Sequence, residues 1–208
     1  MKNALKALLL SFILMAVPFG LASAGPLQDA TNAYIKGDYL TALRLIRPLA
    51  KSGNDVAQYN LGLMYANGNG VRQDYTEALK WYRLAAEQGF APAQTNLGLM
   101  YARGQGVPQN DTEALKWYRL AAEQGYAISQ YNLGVRYREG QGVPRDNVRA
   151  YMWFILAKKY GLDPEPSFAL AVTSLDMTPA QIAEAEKLAR EWKPTKQTPP
   201  PGKPPGAV

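Results

Sequence analysis

Apolar and polar positions in the middle of this chain follow helical spacing, in blocks separated by glycines. Ala57, Leu61, Met64 and Tyr65 fall on one stripe, and Gly68 follows as a stop signal. Gly70 and Val71 carry the chain round a turn, where glycine can adopt positive φ without a Cβ clash. A second stripe then begins, formed by Ala78, Trp81, Tyr82 and Ala85, with Lys80, Arg83 and Glu87 on the opposite, solvated side. The pattern predicts two helices joined by a glycine turn, the second ending at Gly89. Asp74 and Glu77 have the spacing of a capping box, Asp74 accepting from the backbone and Glu77 reaching back, and Asn110 with Glu113 repeats it. Arg83 and Glu87 are spaced to pair across one helical turn.

This two-helix unit recurs every 36 residues. Ala57-Gln58-Tyr59-Asn60-Leu61-Gly62 returns as Ala93-Gln94-Thr95-Asn96-Leu97-Gly98 and as Ser129-Gln130-Tyr131-Asn132-Leu133-Gly134. The stretch from Thr76 to Gly89 is copied without change from Thr112 to Gly125. A fixed period of this length marks a solenoid, in which each unit buries its apolar face by stacking on its neighbours. The expected organisation is a degenerate amino-terminal repeat over 25–56, three full repeats over 57–92, 93–128 and 129–164, and capping helices over 165–193. Trp81, Trp117 and Trp153 are expected between repeats rather than as ligand cages. The recurring Gly-x-Gly follows no strand, so it reads as a turn and not as a phosphate cradle.

Both ends depart from the repeat. In the amino-terminal unit the chain from Tyr34 to Asp38 leaves little room for a glycine turn, and Leu45 replaces the tryptophan. Pro48 is expected to bend the second helix or leave it irregular. In the third repeat Met152 and Ile155 stand where Lys80 and Arg83 stood, so a formerly solvated face turns apolar and needs a cover. Phe168 to Leu175 reads as a short apolar helix, and Thr178-Pro179-Ala180-Gln181 opens a longer one with Ile182, Ala185, Ala189 and Trp192 facing inward. A docking partner is the alternative cover. Residues 194–208 are proline-rich, extended or disordered in expectation.

Residues 1–24 have the layout of a secretory signal. Lys2 and Lys6 precede the apolar run Ala7 to Ala16, and Ala22-Ser23-Ala24 offers a cleavage site after Ala24. The run is shorter than the ~20 residues of a spanning helix, so no stable membrane insertion is expected after its removal. The expected location is periplasmic or secreted. The formal charge of +6 falls by the two leader lysines to +4, too small and dispersed for a nucleic-acid partner. Cys and His are both absent, which removes thiol nucleophiles, histidine-based pairs, disulfides and nearly all zinc sites. No catalytic residue, cofactor or metal is expected.

The spacing from Ala57 through Leu61-Gly62, Tyr65, Gly68 and Gly70-Val71 to Ala78, Trp81-Tyr82, Ala85-Ala86 and Gly89 closely resembles the Sel-one-like repeat, a relative of the tetratricopeptide repeat. The resemblance covers 57–164 strongly and 29–56 weakly. It implies an all-α, right-handed solenoid of antiparallel helix pairs with the first helices lining a concave side, and a protein-interaction or scaffolding role. It carries no catalytic residue over. One secreted branch of the family is linked to cell-wall-like compounds, but its repeats carry paired cysteines that this chain lacks.

Opposite Leu61 and Tyr65, helix geometry groups Tyr59, Asn60 and Leu63 with Ala66 and Asn67. Their equivalents are Thr95, Asn96, Leu99, Ala102 and Arg103, then Tyr131, Asn132, Val135, Arg138 and Glu139. Asn60, Asn96 and Asn132 form a ladder whose amides can bond an extended peptide backbone, with tyrosines as flanking contact area. The other reading is that each asparagine bonds the neighbouring repeat and sets the curvature. Arg103, Arg136 and Arg138 add positive charge at the groove or its rim. The expected function is an exported scaffold that binds a protein or peptide in this groove. A module for envelope glycan or peptidoglycan fragments is the alternative, and a cell-wall hydrolase stands behind both for want of an uncommitted acid pair.

Overall fold

The computed structural model describes residues 25–195, and every regular element among them is a helix. The first unit is α1 (Pro26–Ile35) and α2 (Tyr39–Lys51). Three pairs follow: α3 (Asp55–Asn67) with α4 (Tyr75–Glu87), α5 (Ala91–Arg103) with α6 (Asp111–Glu123), and α7 (Ala127–Glu139) with α8 (Asn147–Lys159). The chain then forms α9 (Glu165–Ser174) and α10 (Pro179–Glu191), both packed on α8. Each helix packs most closely on its partner, and each second helix packs on the first helix of the next pair. The result is a stack of helix pairs. The expected signal segment, and the expected proline-rich tail beyond Thr195, lie outside the described residues.

Local chemistry explains the regularity. Gly68, Gly104 and Gly140 close the first helices in the left-handed conformation, with φ of 74°, 65° and 71°. The second glycine of each turn approaches the preceding unit: a Cβ on Gly106 would fall 2.5 Å from the Tyr75 carbonyl oxygen. This close approach, and not a phosphate, is what requires Gly-x-Gly. Asp74 accepts from the N–H groups of Thr76 and Glu77, and Asn110 from that of Glu113. Glu77 and Glu113 do not reach back as expected. They turn instead to Lys80 and Lys116, each at 3.6 Å, because a lysine one turn on competes for the carboxylate. The reciprocal box forms only at Thr178 and Gln181, among the described residues.

Packing is organised by ring on glycine. The rings of Tyr82, Tyr118 and Phe154 lie on Gly62, Gly98 and Gly134, so close that a Cβ there would sit 2.7, 2.9 and 2.6 Å from ring carbons. Trp153 is buried, and Trp81 and Trp117 are partly buried against the core. The indole N–H groups of Trp81 and Trp117 are enclosed without an acceptor, so these residues contribute apolar area.

A glutamine spine links successive pairs. Gln58, Gln94 and Gln130 donate to the carbonyls of Ala50, Ala86 and Ala122 at 3.1–3.2 Å. Gln88 and Gln124 then donate to the side-chain oxygens of Gln58 and Gln94 at 2.7 and 2.8 Å. Sequence reading used Gln58 only as a marker of the repeat. Nothing in a single helix shows that its amide reaches the previous one.

Three further expectations change. Pro48 sits inside α2, which runs unbroken through it, so packing of Ala42, Leu43, Ile46 and Ala50 holds the helix. Arg83 donates to the Tyr101 hydroxyl at 2.6 Å instead of pairing with Glu87, and Arg119 does the same to Tyr137 at 3.0 Å. The short apolar helix begins and ends earlier than Phe168–Leu175, at Glu165 and Ser174. The apolar face of the third repeat is covered from within the chain. Met152 and Ile155 lie in one cluster with Ala169, Leu170, Ala185, Ala189 and Trp192.

Candidate concave-face binding site

On each first helix, one strip remains that neither neighbouring helix covers. In α3 it runs through Val56, Asn60, Leu63 and Asn67, all half-buried or exposed, while Ala57, Gln58, Leu61, Gly62 and Met64 are buried. The same strip is Pro92, Asn96, Leu99 and Arg103 in α5, and Ile128, Asn132, Val135 and Glu139 in α7. An amide row is thus flanked by two apolar rows. Sequence reading missed the Val56, Pro92 and Ile128 row because these residues lie in the first turn, ahead of the motif it anchored on.

The strip continues onto α9. Pro166, Ala169 and Thr173 are buried as Gln130, Leu133 and Tyr137 are in α7, one period earlier. α9 therefore stands in register as the first helix of a fifth unit. Phe168 takes the place of Asn132, and Leu175 that of Glu139, and they are 72 % and 83 % exposed. The strip ends on an apolar platform.

The expected groove residues divide. Asn60, Leu63, Asn96, Leu99, Asn132 and Val135 lie on the strip, half-buried. The Asn96 amide is also the hydrogen-bonding neighbour of the Tyr59 and Tyr82 hydroxyls in the preceding repeat. Tyr59 packs its ring on Tyr82 and Phe90, with centroids 5.8 and 5.3 Å away, and burial pushes its hydroxyl pKa up. Tyr131 packs on Phe154 at 5.6 Å. Thr95 is buried: its Oγ1 donates to the Ala91 carbonyl at 2.8 Å and lies 2.6 Å from Ser129 Oγ. Thr95 therefore links repeats from inside.

The three arginines differ in the same way. Arg136 points inward, at 2.7 Å from Asp111 Oδ1 and 2.6 Å from Gln141 Oε1. Arg138 meets Glu139 at 3.3 Å. Arg103 is exposed on the strip beside Leu99. No group of three acidic residues that could hold a metal ion occurs among the described residues. No helix among them is long and apolar enough to cross a membrane.

Stacked helix pairs with an open strip of first-helix residues define a helical-repeat scaffold. The Sel1 repeat model matches three consecutive stretches, 55–90, 91–126 and 127–159, with the same period as the units above and a phase two residues earlier than expected. The chain belongs to the Sel1 repeat family. It is similar to a Sel1 repeat protein from Oxalobacter formigenes, with 34 % identity and a TM-score of 0.68 over 75 % of this chain and 63 % of that one. It is also similar to a protective antigen of uropathogenic Escherichia coli strains with an SLR fold. There the identity is 27 % and the TM-score 0.58, over 81 % of this chain and 45 % of that one. The chain thus spans less than two thirds of either protein's length. No functionally curated protein matches it. Sel1 repeat proteins are generally protein-interaction modules and typically non-catalytic.

Proposed function

We propose that this protein is an exported scaffold that holds an extended segment of a partner protein along its first-helix strip. The observation that carries this reading is the strip itself. Amides at Asn60, Asn96 and Asn132 can both donate to and accept from a peptide backbone, and apolar residues on either side suit alternate side chains. Phe168 and Leu175 extend it with apolar area that nothing in the described chain covers. Arg103 favours an acidic group nearby. Export rests on the layout of residues 1–24.

Glycan binding has less support. Of the expected groove tyrosines, Tyr59 and Tyr131 spend their ring faces on neighbouring rings, which leaves Phe168 as the open aromatic face for a sugar.

The test expresses the full chain with its own leader and crosslinks it in the native envelope. A second culture carries Asn60→Ala, Asn96→Ala and Asn132→Ala together, and a third carries Phe168→Ser with Leu175→Ser. The expected result is a defined protein prey recovered with the parent chain and lost from both variants, each still folded by circular dichroism. Equal recovery in all three lanes sinks the strip as the binding surface. A chain confined to the cytoplasm sinks export.

A further inference from the structure

The second helices form the layer that faces away from the strip, and one of them differs in charge. Asp38 and Asp74 cap α2 and α4 one period apart. Leu40, Arg44, Arg47 and Lys51 of α2 therefore stand where α4 has Thr76, Lys80, Arg83 and Glu87, and where α6 has Thr112, Lys116, Arg119 and Glu123. At helical spacing these four positions form one straight line along each helix. In α4 and α6 the line neutralises itself. Lys80 and Lys116 meet Glu77 and Glu113 at 3.6 Å, Arg83 and Arg119 donate to tyrosine hydroxyls, and Glu87 and Glu123 close the line.

On α2 it does not. Thr41 replaces the acid at Glu77 and Glu113, Lys51 replaces the acid at Glu87 and Glu123, and the helix contains no acidic residue. Arg44, Arg47 and Lys51 are exposed and form no ion pair among the described residues. Asp38 feels the Arg44 charge, but its carboxylate is held at the helix start, accepting from the Thr41 N–H at 3.1 Å. Leu40, at the head of the line, is 73 % exposed, and Ile35, at the end of α1 beside Lys36, is 63 % exposed. The other arginine-rich stretch, 127–159, contrasts with this: Arg136, Arg138, Arg145 and Arg149 each meet a carboxylate.

We infer that α2 docks this protein on an anionic phospholipid surface, with its cations on headgroup phosphates and Leu40 and Ile35 in the boundary just below them. The line runs about 17 Å from Leu40 to Lys51 with cations on long flexible stems, which reach phosphates without fixed partner spacing. Isolated apolar tips beside cations suit an interface of headgroups and acyl chains, whereas a folded partner needs a continuous apolar patch. Docking through the second-helix layer leaves the first-helix strip open, so it neither requires the groove reading nor competes with it.

The probes are vesicles of phosphatidylcholine alone and of equal parts phosphatidylcholine and phosphatidylglycerol, sedimented with the full chain. Residues 1–24 contribute alike to every lane. The expected result is binding to the anionic vesicles at least ~10-fold tighter than to the neutral ones. That preference disappears near ~1 M salt, where screening acts within ~3 Å. Thr41→Glu with Lys51→Glu, which rebuilds the acids of the repeats, removes the preference. Ala180→Glu with Lys187→Glu makes the same charge change on exposed positions of α10 and leaves it in place. Leu40→Thr, which restores the residue of the repeats, weakens binding to the anionic vesicles. Circular dichroism checks that each variant is folded. Equal binding to both vesicles overturns the inference, as does an equal loss in the α2 and α10 variants. Binding to polyglutamate as tight as to anionic vesicles, with Leu40→Thr without effect, overturns the lipid assignment in favour of an acidic protein.

Discussion

At the residue scale, buried amides carry more than their small number suggests. Gln94 donates to Ala86 O and accepts from Gln124, so both halves of its amide are used inside the stack. Gln130 also donates to a carbonyl, but the residue one period after Gln124 is Tyr160, and the enclosed Gln130 Oε1 has no partner. Removing a fully paired buried amide strands its partners at ~1–3 kcal/mol, whereas removing one that is half-paired relieves an orphan. Gln94→Ala is therefore expected to destabilise by ~1–3 kcal/mol, and Gln130→Ala by clearly less, in urea unfolding. Equal losses would mean that the spine contributes only shape.

Between helices, the Arg136–Asp111 pair joins the start of α6 to α7. Arg136 replaces the methionine of the two earlier repeats, and its side chain is only 13 % exposed against 34 % for Asp111. The guanidinium is the costlier partner to strand, because an exposed carboxylate regains water and a buried cation does not. Asp111→Ala is expected to destabilise by ~1–3 kcal/mol, while Arg136→Met stays within ~1 kcal/mol of the parent. Thermal melts of both variants decide it, and a larger loss for Arg136→Met reverses the argument. Helix ends were legible from the chain because caps and stop signals act within a few residues. The partner of Arg83 was not: Tyr101 lies on the next helix pair, and a helix by itself presents Glu87 at an equally good spacing.

Over the whole molecule, no histidine or cysteine is present to titrate near neutrality, so pH sensitivity on the alkaline side falls to the tyrosines packed between helix pairs. Burial pushes Tyr118 and Tyr126 up to about 12 from 10.0, and Tyr82 well above 10.0. A raised folded-state pKa favours the neutral phenol, so this stabilisation is complete below pH 10.0 and is lost as pH rises towards about 12. Melting temperature is expected to fall steeply across that window, together with phenolate absorbance. Early phenolate formation in a still-folded chain would show that these rings are open to solvent. The sequence by itself determined the period, the helix pairs, the left-handed glycines and the need to cover Met152 and Ile155. Each depends on spacing within one helix or on exact repetition, and both survive in one dimension. Only the tertiary structure decided which residues face the open strip. It also decided that Thr95 and Arg136 turn inward, and that α9 continues the strip with Phe168 and Leu175. The reason is physical: burial in a stack is set by the neighbouring pairs, and a helix with two buried sides has no single polar face from which its open side can be read.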